Sequence, residues 1–132
     1  MKKMNPVVHF EMPYENSERL TKFYNTVFGW KLNKLGKEMG DYVTAATTET
    51  DANQMVKTPG NINGGFYPKS SGAPLEPSVV IAVDDIKAAI EAITKAGGKV
   101  LGHPVDIPGV GKYVSFTDTE GNRASILQPK KM

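Results

Sequence analysis

The chain has no cysteine among its 132 residues, a single tryptophan, and little excess of either charge: sixteen basic side chains face fourteen acidic ones. The missing cysteines exclude a disulfide framework, a thiolate nucleophile and a thiolate metal site. A net charge of +2 argues against a nucleic-acid surface or a membrane-binding face. No apolar run approaches the ~18 residues that a membrane span needs. The Met-Lys-Lys-Met start runs into Asn5 and Pro6, not into an apolar stretch, so it does not read as a signal peptide and a cytoplasmic location is expected. What is present is enough apolar sequence, 39%, for one domain with a real core.

Val7 to Met12 reads as a strand stopped by Pro13. Ser17 to Phe28 reads as a helix, with Leu20, Phe23, Tyr24, Val27 and Phe28 recurring as one apolar stripe, Asn16 or Ser17 as cap, and Gly29 closing the end. Trp30–Leu35 and Tyr42–Thr47 alternate as strands. A polar stretch from Thr48 to Ser78, rich in Gly and Pro, holds one strand-like piece, Gly64 to Tyr67. The order then repeats. Val79–Val83 is a strand, Asp84 or Asp85 caps a helix striped by Ile86, Ala89, Ile90 and Ile93, and Gly97-Gly98 ends it. Lys99–Leu101, Lys112–Thr117 and Arg123–Gln128 are strands, the last two joined by the Asp118–Asn122 turn. The fold class is therefore α+β, a single domain over 1–132 with βαβββ units at about 5–70 and 77–129, aligned so that Phe66 matches Leu127.

These residues carry a family resemblance. Val-Val-His-Phe-Glu-Met-Pro, with Phe23-Tyr24 and Phe28-Gly29-Trp30 after it, resembles the first half of the vicinal oxygen chelate superfamily, the glyoxalase, bleomycin-resistance and dioxygenase group. Val79–Asp85, Gly97–Val100, Ile107–Gly111 and Asp118–Asn122 resemble the second half. The resemblance implies two βαβββ repeats forming a curved mixed sheet around a cup, and a homodimer. It also implies a divalent ion held by His or Glu at four positions, the first lying five residues before the apolar residue that closes the first strand. Counted from Met12 and Val83, and from the turn glycine Gly121, those positions fall on Val7, Gly64, Ser78 and Ser125. Such a set is a poor one for a metal, so no cofactor is expected.

Strand alternation divides the sheet into an apolar face, backing the helical stripes, and a mixed one. The mixed set is His9, Glu11, Tyr42, Thr44, Phe66, Tyr113, Ser115, Arg123, Ser125 and Leu127, the expected ligand-binding surface. The leading expectation is a metal-independent binder of a small molecule. Three alternatives stand beside it: a lyase or isomerase acting on a small carbon acid, with Glu11 as general base oriented by His9; a dioxygenase-like metalloenzyme with a shifted site at His9 and Glu11; and a sequestering protein stacking its ligand on Phe66, Tyr113 or Trp30. Met55, Ile62 and Phe66 are candidates for a lid within residues 48–78, against the simpler expectation of a surface excursion.

Overall fold

A computed structural model describes residues 3–53, 55–71 and 75–130. The elements are β1 (Val7–Tyr14), α1 (Ser17–Phe28), β2 (Lys31–Lys34), β3 (Val43–Ala46), β4 (Asn63–Pro68), β5 (Ser78–Ala82), α2 (Ile86–Lys95), β6 (Lys99–Ile107), β7 (Gly111–Thr117) and β8 (Arg123–Pro129). The βαβββ order occurs twice, in a mixed α+β architecture. No helix among the described residues is long and apolar enough to cross a membrane.

One compact unit is His9–Pro77; the other joins the residues ahead of His9 to the chain from Ser78 onward. In the first, the strands lie in the order β2-β3-β4-β1, with β1 and β4 parallel and the other pairs antiparallel. α1 forms where expected because both ends are capped: Asn16 Oδ1 accepts from the Arg19 amide at 3.0 Å, and Gly29 takes φ 72. Its Leu20 and Tyr24 pack with Phe10, Met12, Trp30 and Leu32 against the buried Tyr14, Val43, Ala45 and Phe66. Tyr24 stacks on Trp30 with ring centroids 4.7 Å apart, so Trp30 is a core residue and not a ligand platform. Of the expected stripe, Leu20 and Tyr24 are half-buried, whereas Phe23, Val27 and Phe28 are more than half exposed.

In the second unit the order is β5-β8-β7-β6, with β5 and β8 parallel. Residues ahead of His9 run beside β5, where the Ala82 amide donates to Pro6 O at 2.9 Å. α2 starts on Asp85, whose Oδ1 accepts from Lys87 and Ala88. Gln128 of β8 adds a second cap, accepting from the Ile86 amide at 2.9 Å. The core is Val83, Ile86, Val114 and Ile126, flanked by Ile81, Ala89, Ile90, Ile93, Val100 and Phe116.

Two strand boundaries differ from expectation by more than one residue. β1 passes through Pro13 to Tyr14, because Pro13 sits in the ladder with β4 as partner of Tyr67; a proline interrupts only the side on which its N–H is needed. β6 runs well past Leu101, through His103 and Pro104 to Ile107, because Gly102 adopts φ 88 and the pairing with β7 shifts register between Leu101 and Val105.

The 48–62 excursion is stitched by polar side chains. Asn63 Oδ1 accepts from the Thr47 and Thr48 amides at 2.7 and 3.1 Å, and Asp51 Oδ1 accepts from the Asn53 and Met55 amides. Met55 is exposed. Gln54 and residues 72–74, part of the stretch considered as a lid, lie outside the described residues.

Candidate functional site

Ladder register equates the two repeats residue by residue. Phe66 pairs with Val43 and Met12; Ile126 pairs with Val114 and Ile81. Phe66 therefore corresponds to Ile126, one residue away from the Leu127 alignment expected from sequence. Four further equivalences hold along the same strands: Tyr42 with Tyr113, Thr44 with Ser115, Gly65 with Ser125, and His9 with Ser78. Phe66 is thereby placed on the helix-facing side. It is 1% exposed, packs against Tyr24 and meets Phe10 edge-on. This corrects its expected place on the mixed face and removes it from any lid.

The same register corrects the family's ligand positions. The buried residue that closes β1 is Tyr14, the counterpart of Val83, and counting back five from it gives His9 and not Val7. The partner of Ser125 is Gly65 and not Gly64. The four positions that the resemblance implies therefore become His9, Gly65, Ser78 and Ser125: one imidazole, two neutral hydroxyls and a glycine. That donor set does not fit a divalent ion. Among the described residues no three His, Cys, Asp or Glu side chains gather to hold one.

In the His9–Pro77 unit, period-2 alternation brings His9 and Glu11 to one side of β1. Tyr42 joins them just ahead of β3. Its hydroxyl donates to Glu11 Oε2 at 3.1 Å and lies 3.0 Å from His9 Nε2. With the phenolic proton directed to the carboxylate, the imidazole donates to the phenol oxygen from Nε2, which fixes the neutral tautomer. Burial lowers the His9 pKa below its ordinary value, outweighing the opposite pull of the Glu11 carboxylate. His9 is therefore neutral near pH 7.

Glycine makes room for this arrangement. A Cβ on Gly65 would collide with the Tyr42 ring, and one on Gly64 with the Phe10 ring. At this pair β4 carries an aromatic ring against each face in place of side chains of its own. Thr44, expected in the site, is exposed and reaches only the Asn33 carbonyl, at 3.4 Å.

The second unit gathers four expected residues into a hydroxyl chain. Tyr113 OH lies 2.8 Å from Ser125 Oγ, and Ser125 Oγ lies 2.8 Å from Ser115 Oγ. Arg123 Nη2 donates to Ser115 Oγ at 2.9 Å. Ser125 and Ser115 are 1% and 6% exposed; hydrogen bonding offsets the cost of burying them. Leu127 pairs with Tyr113 on the same face. Two surface depressions, of about 420 and 350 Å³, lie at the β6–β7 turn and beside the start of α1, and neither contains these clusters. The chemistry of the two clusters marks them more strongly than hollow size marks the depressions. Sequence alternation located the members of both clusters. It missed the bridging position of Tyr42 and the clearance at Gly65, for which the adjacent glycines in a strand were the available signal.

A model of the glyoxalase/bleomycin resistance protein/dioxygenase superfamily matches residues 7–126. A glyoxylase-like domain-containing protein of Didymella fabae is 36% identical over 120 residues, covering 88% of each chain. A putative glyoxylase of Mycobacterium tuberculosis is 37% identical over 68 residues, and that match spans 52% of this chain and 26% of the relative. Among solved structures, a hypothetical protein from Bacillus halodurans superposes with TM-score 0.69 at 16% identity, covering 98% of both chains. A methylmalonyl-CoA epimerase superposes with TM-score 0.71 at 14% identity, covering 99% of this chain and all of that one. At such identities the two structures show a shared fold.

Proposed function

This chain belongs to the glyoxalase/bleomycin resistance protein/dioxygenase superfamily, and on that premise we propose an isomerase or lyase acting on a small carbon acid, with Glu11 as general base. One observation carries the reading: the Tyr42 hydroxyl lies within hydrogen-bond distance of both Glu11 Oε2 and His9 Nε2. A general base needs its carboxylate held in this way, because proton abstraction requires a fixed oxygen lone pair within reach of the C–H bond. Glu11 takes the proton from carbon, and the electron pair left behind delocalises into the adjacent carbonyl. Tyr42 fixes the carboxylate rotamer through its donated proton. His9, neutral and donating to Tyr42, aligns the phenol without adding a positive charge.

The solved neighbours point to the first substrates to try. Several are methylmalonyl-CoA epimerases, one of them in complex with methylmalonyl-CoA. The test is solvent-deuterium exchange at the acidic carbon across a panel of 2-substituted thioesters and α-hydroxy carbonyl compounds, methylmalonyl-CoA included. Exchange should fall about 10²–10⁴-fold in Glu11→Gln, with ligand affinity changed only a few-fold. Undiminished exchange in that variant sinks the proposal. A homodimer belongs to the same reading, with the exposed Phe23, Val27 and Phe28 of α1 supplying an apolar face of the kind that marks interaction surfaces.

A further inference from the structure

Arg123 begins β8, and its guanidinium donates to Ser115 Oγ. The ion pairs among the described residues use Lys3, Arg19, Lys57 and Lys69, all on exposed side chains. Arg123 is in none of them, although it is only half-exposed. A guanidinium has five N–H donors in a planar fork suited to paired oxygens. Holding one partly out of water without a counter-ion costs free energy. The hydroxyl chain behind it is not a solvated surface, because Ser115 and Ser125 are buried and bonded to each other. Charge-assisted donation from Arg123 polarises that chain, and the chain in turn holds the guanidinium in one place.

The other repeat supplies a control. Register equates Arg123 with Asn63, whose Oδ1 is taken up by the Thr47 and Thr48 amides. At that position Asn63 braces a loop. Arg123 has no acceptor and cannot do the same work.

We infer that Arg123, positioned by Ser115 and Ser125, is an oxyanion-binding site of the second unit, receiving the carboxylate or phosphate of a small ligand. Leu127 and the Tyr113 ring, paired across β7 and β8, give that ligand an apolar flank. The site is assembled from residues of the second unit and is read by binding, not by turnover, so failure of the catalytic reading and failure of this one are separable.

The experiment is an NMR titration of ¹⁵N-labelled full-length protein with sodium benzoate and with inorganic phosphate, at ionic strength held constant with chloride. The Arg123 Nε–H and the Ser115 and Ser125 amides should shift saturably. The tighter of the two probes identifies the ligand as a carboxylate or a phosphoryl compound, and either order supports the site. Arg123→Gln should weaken binding at least about tenfold, Ser115→Ala several-fold, and Lys112→Met not at all. Arg123→Lys keeps the charge but loses the fork, and should also weaken binding. It decides the matter together with the unmodified protein if Arg123→Gln does not fold. Non-saturating shifts, shifts spread over surface lysines, or unchanged affinity in the Arg123 variants would overturn the inference.

Discussion

Gly65 does its work by having no side chain. A methyl group there would occupy space held by the Tyr42 ring, so Gly65→Ala must push the phenol away from Glu11 and His9 while leaving every charged group intact. Overpacking of this kind costs about 1–3 kcal/mol. The expected outcome is a modest loss of stability with a disproportionate fall in turnover, read by urea denaturation and solvent exchange on the same preparation. His9 gives a second residue-scale expectation. Its folded pKa lies below the ordinary 6.5, so the unfolded chain takes up this proton first as pH falls. Stability must then decline from about pH 6.5 downward, until the folded pKa is reached. His9→Gln should flatten that part of the stability–pH curve, and an identical slope in both proteins would contradict a buried neutral imidazole.

At the level of elements, β4 is where reading the sequence and seeing the structure part company. Alternation is phased by side chains, and Gly64-Gly65 offers none, so Phe66 could be assigned to either face. The structure places it in the helix-facing core. Phe66→Ala should accordingly cost about 3–5 kcal/mol by chemical denaturation, a loss that a ligand-contacting ring on an open face would not show. The helices were more legible. α1 spans Ser17–Phe28 as expected because Asn16, Gly29 and a 3.6-residue stripe all report the same element. β1 was read two residues short, since Pro13 looks like a stop in sequence and is a ladder residue in space. That shortfall displaced the ligand count onto Val7. The serine, tyrosine and arginine of β7 and β8 were legible because their strands alternate without interruption.

For the whole molecule, the expected assembly state is a homodimer closed over the α1 surface. Sedimentation equilibrium should give twice the chain mass, and Phe28→Glu, which places a charge amid Phe23 and Val27, should give the monomer. A monomeric unmodified protein would refute that expectation. The two repeats share a strand register but not a chemistry. Where the first presents an imidazole and a carboxylate beneath its tyrosine, the second presents hydroxyls and a guanidinium.

Glu11 corresponds in register to Val80, which is 2% exposed. A carboxylate introduced at Val80 would be stripped of water with no phenol waiting to receive it, because Tyr113 already lies against Ser125. An exchange at Val80 alone therefore does not carry the carboxylate–phenol arrangement of one repeat over to the other.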